Sequence, residues 1–361
     1  MGITPIIWNK FALSIDKYPV YIKPILLLDS NVMSAVHDFV TNKINMSKDR
    51  YESVNLLIKF IIKMKYDITG AFYCLEAIYK SNVNRKFYIL ECLKTIFTLQ
   101  TIDENIFEET GEIKSNPKKV KEELDFHNVD TLEKQSELIY KSFEKAYLNQ
   151  EIDILLNITY VSLLKISIIN YKNKPPFDKY LETFTFFKDD LGIIGANELT
   201  FALLYYYNTD NYKKFLPPLQ KRLNFDNLIN KINSSTWDLL LLRLPPLFID
   251  SEKDINYEKS AIVIKHFICT AENALKDLFS VQKIETIFSL KEYKYGKKIL
   301  TSLNFDNLSK FIPEIDIDKL KKLEVDESRL IYNCNENNTL ENKIKIYKHE
   351  FEKEIIEIIK I

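Results

Sequence analysis

The chain has 361 residues, 46% of them hydrophobic, with 50 Lys and Arg against 51 Asp and Glu and a formal net charge of -1. That length can bury one large core or two ordinary ones. The even charge balance excludes a globally basic nucleic-acid coat, so any polyanion must be held by a local patch.

Residue types remove further classes. Cys74, Cys92, Cys269 and Cys334 form no C-x-x-C pair and read as buried thiols of a cytoplasmic protein. The six glycines provide neither a G-x-G-x-x-G nor a Walker-type GKS or GKT, so glycine-cradled nucleotide sites are excluded. There is no G-x-S-x-G elbow, and His37, His127, His266 and His349 have no H-E-x-x-H spacing for zinc. Any chemistry is left to carboxylates. Met1 to Tyr21 carries Lys10, Asp16 and Lys17 without a continuous apolar core, and no other window approaches 18 uninterrupted apolar residues. Neither a signal peptide nor a membrane span is therefore expected.

The first strong element is Ile25-Leu26-Leu27-Leu28, an aliphatic run that ends on Asp29 and passes into Ser30-Asn31-Val32. Such a run suits a strand covered on both faces of a parallel sheet, and ligands of such sheets sit beyond the carboxyl ends of the strands. Asp29 stands at that rim or simply caps the following helix; the sequence leaves both open. Tyr51 to Lys65 places Val54, Leu57, Ile58, Ile61 and Ile62 on one helical stripe, and the helical pattern resumes over Ala71–Lys80 and Lys86–Leu99. Glu104 to Asp130 is polar, a solvated loop or an exposed helix. Two helical stretches follow between Thr131 and Tyr171, the second (Ile152 to Ile169) nearly apolar, expected at the centre of the core and ended by Pro175-Pro176.

Gly192 and Gly195 mark a turn before a helix that carries Glu198 in its first turn, a position that also suits an acid on helix-dipole grounds. Ser235 to Leu244 is a run of leucines opened by Thr236-Trp237-Asp238 and closed by Pro245-Pro246. It reads as a strand with Asp238 at its start or on the loop leading into it. Tyr257 to Phe279 has helical periodicity, Ser302 to Leu323 is broken by Pro313, and Thr339 to Ile361 is a long amphipathic helix able to pack on the body or on a partner.

The string Leu28-Asp29-Ser30-Asn31-Val32 resembles the opening of PIN-domain nucleases, whose first strand ends in an acid followed two positions later by Asn. Glu76 is similar in spacing and apolar setting to the family's next acid, Glu198 to the acid that opens a later helix, and Thr236-Trp237-Asp238 to a late T-x-D pattern. The resemblance implies a helix-dominated α/β fold, a PIN-like parallel sheet flanked by many helices, over 1–250 with a helical insertion at about 102–179, followed by a helical extension or small domain over 251–361. It implies Mg²⁺ or Mn²⁺ held by Asp29, Glu76, Glu198 and Asp238, with Asn31 orienting Asp29 or substrate, and cleavage of nucleic acid, RNA favoured over DNA. A toxin or defence effector is the expected setting. Lys63, Lys65, Lys80, Arg85, Lys86, Lys118, Lys119 and Lys121, with nearby tyrosines, are the candidate contacts to a single strand. The alternative is a PIN-like interaction or scaffold protein without catalysis, with the last helix as a contact for a protein partner or a second copy.

Overall fold

The computed structural model describes residues 4–6, 20–41, 46–80, 85–147, 150–193, 195–242, 261–289, 297–327 and 337–360. The chain folds into two compact units, one formed by Met1–Gln150 with Leu247–Glu272, the other by Glu151–Pro246 with Asn273–Ile361. The expected boundary at 250/251 falls outside the described residues, and the expected insertion at 102–179 is shared between the units.

The first unit is built on a small sheet. Strands β1 (Thr4–Ile6), β2 (Val20–Leu28), β3 (Asp67–Thr69) and β4 (Ala261–Thr270) lie in the order β1-β4-β2-β3. β2 runs parallel to β3 and to β4, with Leu27 opposite Thr69 and Leu28 opposite Cys269, while β1 pairs antiparallel with β4 at the edge. The aliphatic run of β2 is continuous because the strand is central: Leu26, Leu27 and Leu28 are all buried. Helices α1 (Ser30–Val40), α2 (Lys48–Met64), α3 (Ala71–Tyr79) and α4 (Arg85–Gln100) follow. Val32, Met33 and Val36 of α1, Val54, Leu57, Ile58 and Ile61 of α2, and Ile89, Leu93 and Ile96 of α4 close one core with Leu26, Leu28 and Ile68. The i, i+3, i+4 stripe expected over 51–65 is the buried face of α2.

The polar stretch after Thr101 forms two short helices, α5 (Glu104–Thr110) and α6 (Pro117–Phe126). Both have side-chain caps, Asp103 accepting from the Ile106 amide and Asn116 from the amides of Lys118 and Lys119, and α6 buries none of its residues. Gly111 ends α5 in the left-handed region at φ 72°, where glycine pays no steric penalty. Helix α7 (Leu132–Tyr147) completes the unit.

The second unit centres on α8 (Gln150–Tyr171), with Leu163, Leu164, Ile166, Ile168 and Ile169 essentially inaccessible. By length and composition its Ile152–Tyr171 stretch could cross a membrane, and 67% of it is buried inside the protein, as in a core helix. The proline pair opens the next element, Pro175 being the N-cap and Pro176 the first residue of α9 (Pro176–Thr185). A π-helical turn (Phe186–Leu191) ends at Gly192, with φ 70°, and leads to α10 (Ala196–Tyr207) and α11 (Thr209–Tyr212). Beyond them come α12 (Phe225–Leu241), α13 (Asn273–Val281), the antiparallel pair β5 (Gln282–Ser289) and β6 (Lys297–Leu303), α14 (Phe305–Phe311), α15 (Ile317–Glu327) and α16 (Asn337–Lys360). The last helix packs on its own unit: Ile344, Phe351, Ile355 and Ile359 are buried, and Phe351 meets Phe186 at 5.6 Å between ring centroids.

Two expected elements differ. The leucine run around Asp238 is the end of helix α12, not a strand. Asn224 caps the helix, and Leu228, Ile232, Ser235 and Leu239 recur at helical spacing, so an uninterrupted apolar run here reflects burial on all sides. Of the stretch expected to be helical over 257–279, residues 257–260 lie outside the described residues, and the rest is strand β4 followed by α13. Its β-branched sequence Ala-Ile-Val-Ile suits a central parallel strand.

Because Leu28 is fully buried in β2, Leu28→Ala is expected to cost about 2–5 kcal/mol in urea unfolding followed by circular dichroism. Leu56→Ala, at a position 66% exposed, is expected to stay within about 0.5 kcal/mol of the parent. Equal losses at the two positions would contradict the placement of β2 in the core.

Candidate functional site

Three parallel strands end at one edge of the first unit's sheet, and each end is followed by an acid or by a helix that carries one. β2 ends at Leu28 and delivers Asp29, β3 ends at Thr69 and leads into α3 with Glu76, and β4 ends at Thr270, two residues before Glu272. Asp29 and Glu76 are the two expected residues that the first unit brings together. Glu272 was not anticipated.

Asp29 is 1% exposed. Its backbone amide donates to the Cys269 carbonyl at 3.0 Å, which fixes it to the end of β4. The Thr270 hydroxyl donates to its Oδ2 at 2.7 Å, and the Asn31 amide donates to its Oδ1 at 3.4 Å, which makes Asp29 the N-cap of α1. The capping and rim readings therefore describe the same residue. Burial pushes the Asp29 carboxyl up to about 6; Thr270 opposes the rise, the charge of Glu76 adds to it, the Asn31 amide opposes it, and the charge of Glu272 adds again.

Glu76 is buried among the apolar residues of α3 and accepts hydrogen bonds from the Ser30 hydroxyl and the Lys80 ammonium. Glu272 is held from two sides. Its backbone amide donates to the Thr270 hydroxyl oxygen at 3.0 Å, and its Oε1 accepts from the Asn31 side-chain amide at 3.4 Å. Thr270 thus links Asp29 to the Glu272 backbone, and Asn31 serves both acids, one through its backbone and one through its side chain. The signal for Glu272 was present as Thr270-Ala271-Glu272, a second T-x-acid string after an apolar run.

Glu198 and Asp238 belong to the second unit. Glu198 is fully buried in the first turn of α10, accepts from the Thr159 hydroxyl at 2.6 Å, and folds back over Gly195, where a Cβ would lie 2.7 Å from its Oε2. An acid at this third helical position commonly closes the start of its own helix. Asp238 is half-buried in the last turns of α12. Of the expected strand contacts, Lys119 bonds Glu104 at 2.8 Å, Lys118 lies 3.9 Å from Glu122, and Lys86 sits over the Tyr140 ring at 5.0 Å, so these cations have partners within the unit.

The rim offers oxygen donors throughout: three carboxylates, the Ser30 hydroxyl and the Asn31 amide. Hard divalent cations such as Mg²⁺ and Mn²⁺ select this chemistry. The raised titration of Asp29 comes first from its burial, with the charges of Glu76 and Glu272 adding smaller contributions. Among the described residues, no three His, Cys, Asp or Glu side chains already converge on one point as a ready-made metal cage. No known family model, curated protein or solved structure matches the chain.

The raised titration of Asp29 has a measurable consequence. Folded protein holds this proton to about pH 6, whereas the unfolded chain releases it near the ordinary 3.8, so metal-free stability falls as pH rises through that window. At about 1.4 kcal/mol per pH unit the complete effect comes to roughly 3 kcal/mol. In EDTA, Asp29→Asn is expected to melt above the parent at pH 7.5, with the difference vanishing by pH 4. A mutant that melts no higher at pH 7.5, or a difference independent of pH, would contradict the electrostatic account.

Proposed function

We propose that the first unit is a PIN-like, divalent-metal-dependent nuclease that cleaves single-stranded RNA, in the setting of a cytoplasmic toxin or defence effector. The observation that carries the reading is the position of Asp29 at the carboxyl end of the central parallel strand, where ligands of open α/β sheets bind, with Glu76 tied to the adjacent Ser30 and Glu272 tied to Asp29 through Thr270 and Asn31. Asp29 and Glu76 are the acids that the family resemblance singles out. Glu272 takes the late T-x-acid position that Asp238 was expected to fill, and the reading draws its ligands from this unit alone.

In this reading Asp29, Glu76 and Glu272 hold Mg²⁺ or Mn²⁺, and Ser30, Asn31 and Thr270 orient the three acids. A bound divalent ion supplies the Lewis acidity that activates water and stabilises a leaving oxygen in phosphodiester hydrolysis. Burial of Asp29 keeps its carboxylate from bulk water and leaves it dependent on a cation for charge balance. One observation favours a second reading, a PIN-like scaffold without catalysis: Glu76 already has a cationic partner in Lys80.

Cleavage of a labelled single-stranded RNA in millimolar Mn²⁺ separates the readings. Asp29→Asn, Glu76→Gln and Glu272→Gln are each expected to lower the rate by at least about a hundredfold while the fold persists, the loss typical of removing a directly acting group. Glu108→Gln, an exposed change on α5, is expected to leave the rate unchanged. Metal-dependent cleavage that survives Asp29→Asn, or no cleavage by the parent chain, would overturn the nuclease reading in favour of the scaffold.

A further inference from the structure

Helix α2 is apolar on two sides. Val54, Leu57, Ile58 and Ile61 face the core, while Leu56 and Met64, 66% and 45% exposed, flank the half-buried Phe60 at i, i+4, i+8 spacing on the other side. Singly exposed apolar residues need no explanation, but a row of them along one helix face marks a contact surface. Tyr66 meets Phe60 edge-on at 5.4 Å between ring centroids, which fixes the middle of the row. The same face carries charge in a definite order: Asp49 and Glu52 precede Leu56, Lys59 and Lys63 follow it, and all four are exposed.

We infer that this face binds a second copy of the chain, with α2 lying antiparallel to the same helix of the other copy about a two-fold axis at Leu56. Leu56 is the middle residue of the 17-residue helix, and Asp49 and Lys63 stand two turns from it on either side. Antiparallel pairing in that register sets Asp49 of one copy against Lys63 of the other, and Glu52 beside Lys59 and Phe60. Acids then meet lysines, and every contact occurs twice, as an isologous interface requires. Parallel pairing would instead oppose like charges at both ends of the helix. Leu56, Phe60 and Met64 form the apolar seam between the charged ends. One pair of helices of this length lies near the lower size limit for a specific interface, so the dimer is weak, with a Kd on the order of 10 to 100 μM. Below that range the chain is a monomer and Leu56 has no packing role, in keeping with the tolerance expected of Leu56→Ala.

Sedimentation equilibrium of the whole chain from about 5 to 300 μM spans that range and tests the pairing. The parent is expected to pass from monomer to dimer. Leu56→Glu, which sets a carboxylate against its own copy at the two-fold axis, is expected to remain monomeric throughout while keeping the parent's circular dichroism. Lys63→Glu and Asp49→Lys are each expected to weaken the dimer at least about tenfold, because like charges then face each other at both ends of the helix pair. Combined in one chain, Asp49→Lys and Lys63→Glu restore opposite partners and should return the Kd to within about threefold of the parent, a rescue that impaired folding cannot imitate. Ile346→Glu, at an exposed position of α16, should leave the association unchanged.

A parent that stays monomeric across the whole range would overturn the pairing. A dimer that survives Leu56→Glu but not Ile346→Glu would overturn it in favour of the last helix. Single charge variants that weaken the dimer without rescue in the combined chain would overturn the antiparallel register about Leu56. A monomeric parent whose binding to a labelled single-stranded RNA is lost in Lys59→Glu and Lys63→Glu would assign this face to nucleic acid instead.

Discussion

Burial of the Asp29 carboxylate beside two other acids is the constraint on which the first unit turns. A carboxylate 1% exposed would ordinarily be neutralised or tied into a full set of donors. Asp29 has the Thr270 hydroxyl and one long backbone contact from Asn31, and its titration is displaced upward all the same. The cost is tolerated because a close-packed aliphatic core around Leu26, Leu28, Met33 and Val36 fixes the end of β2.

The arrangement around Asp29 also explains why so few residues support it. Thr270 donates to Asp29 and accepts from the Glu272 amide, so one hydroxyl fixes the relative position of two strand ends. Asn31 repeats the economy with its backbone on Asp29 and its side chain on Glu272. Ser30 and Lys80 each bond Glu76 through one of its two oxygens. Substitution at Thr270 or Asn31 therefore alters the geometry between acids rather than the number of acids, and the effects of such substitutions should not add independently.

Much of this was legible in the sequence where the signal was local. The aliphatic run into Asp29 identified a central strand, and the stripe over 51–65 identified α2 and its buried face. Glu76 stood out by its spacing and apolar neighbours. Glu272 did not, because the strand that delivers it pairs with β2 across 241 residues of sequence, and parallel pairing at that distance leaves no local mark. The run at 261–270 carries Lys265 and His266 within its apolar residues and so imitates helical spacing, while the leucines before Pro245 imitate a strand. Short apolar runs do not distinguish a buried strand from a buried helix; Asn224 at the cap and the 17-residue length of α12 decide the second case. Glu198 was placed correctly in its helical turn, and its burial against Thr159 is a consequence of packing within the second unit.

The central claim is that three strand ends gather acids that share a divalent ion. Anomalous diffraction from crystals grown in Mn²⁺ tests it most directly, because the scattering locates the ion without assuming its ligands. A peak bounded by the carboxylates of Asp29, Glu76 and Glu272 is the expected result. Crystals grown in millimolar Mn²⁺ with that rim open to solvent and no peak there would contradict it.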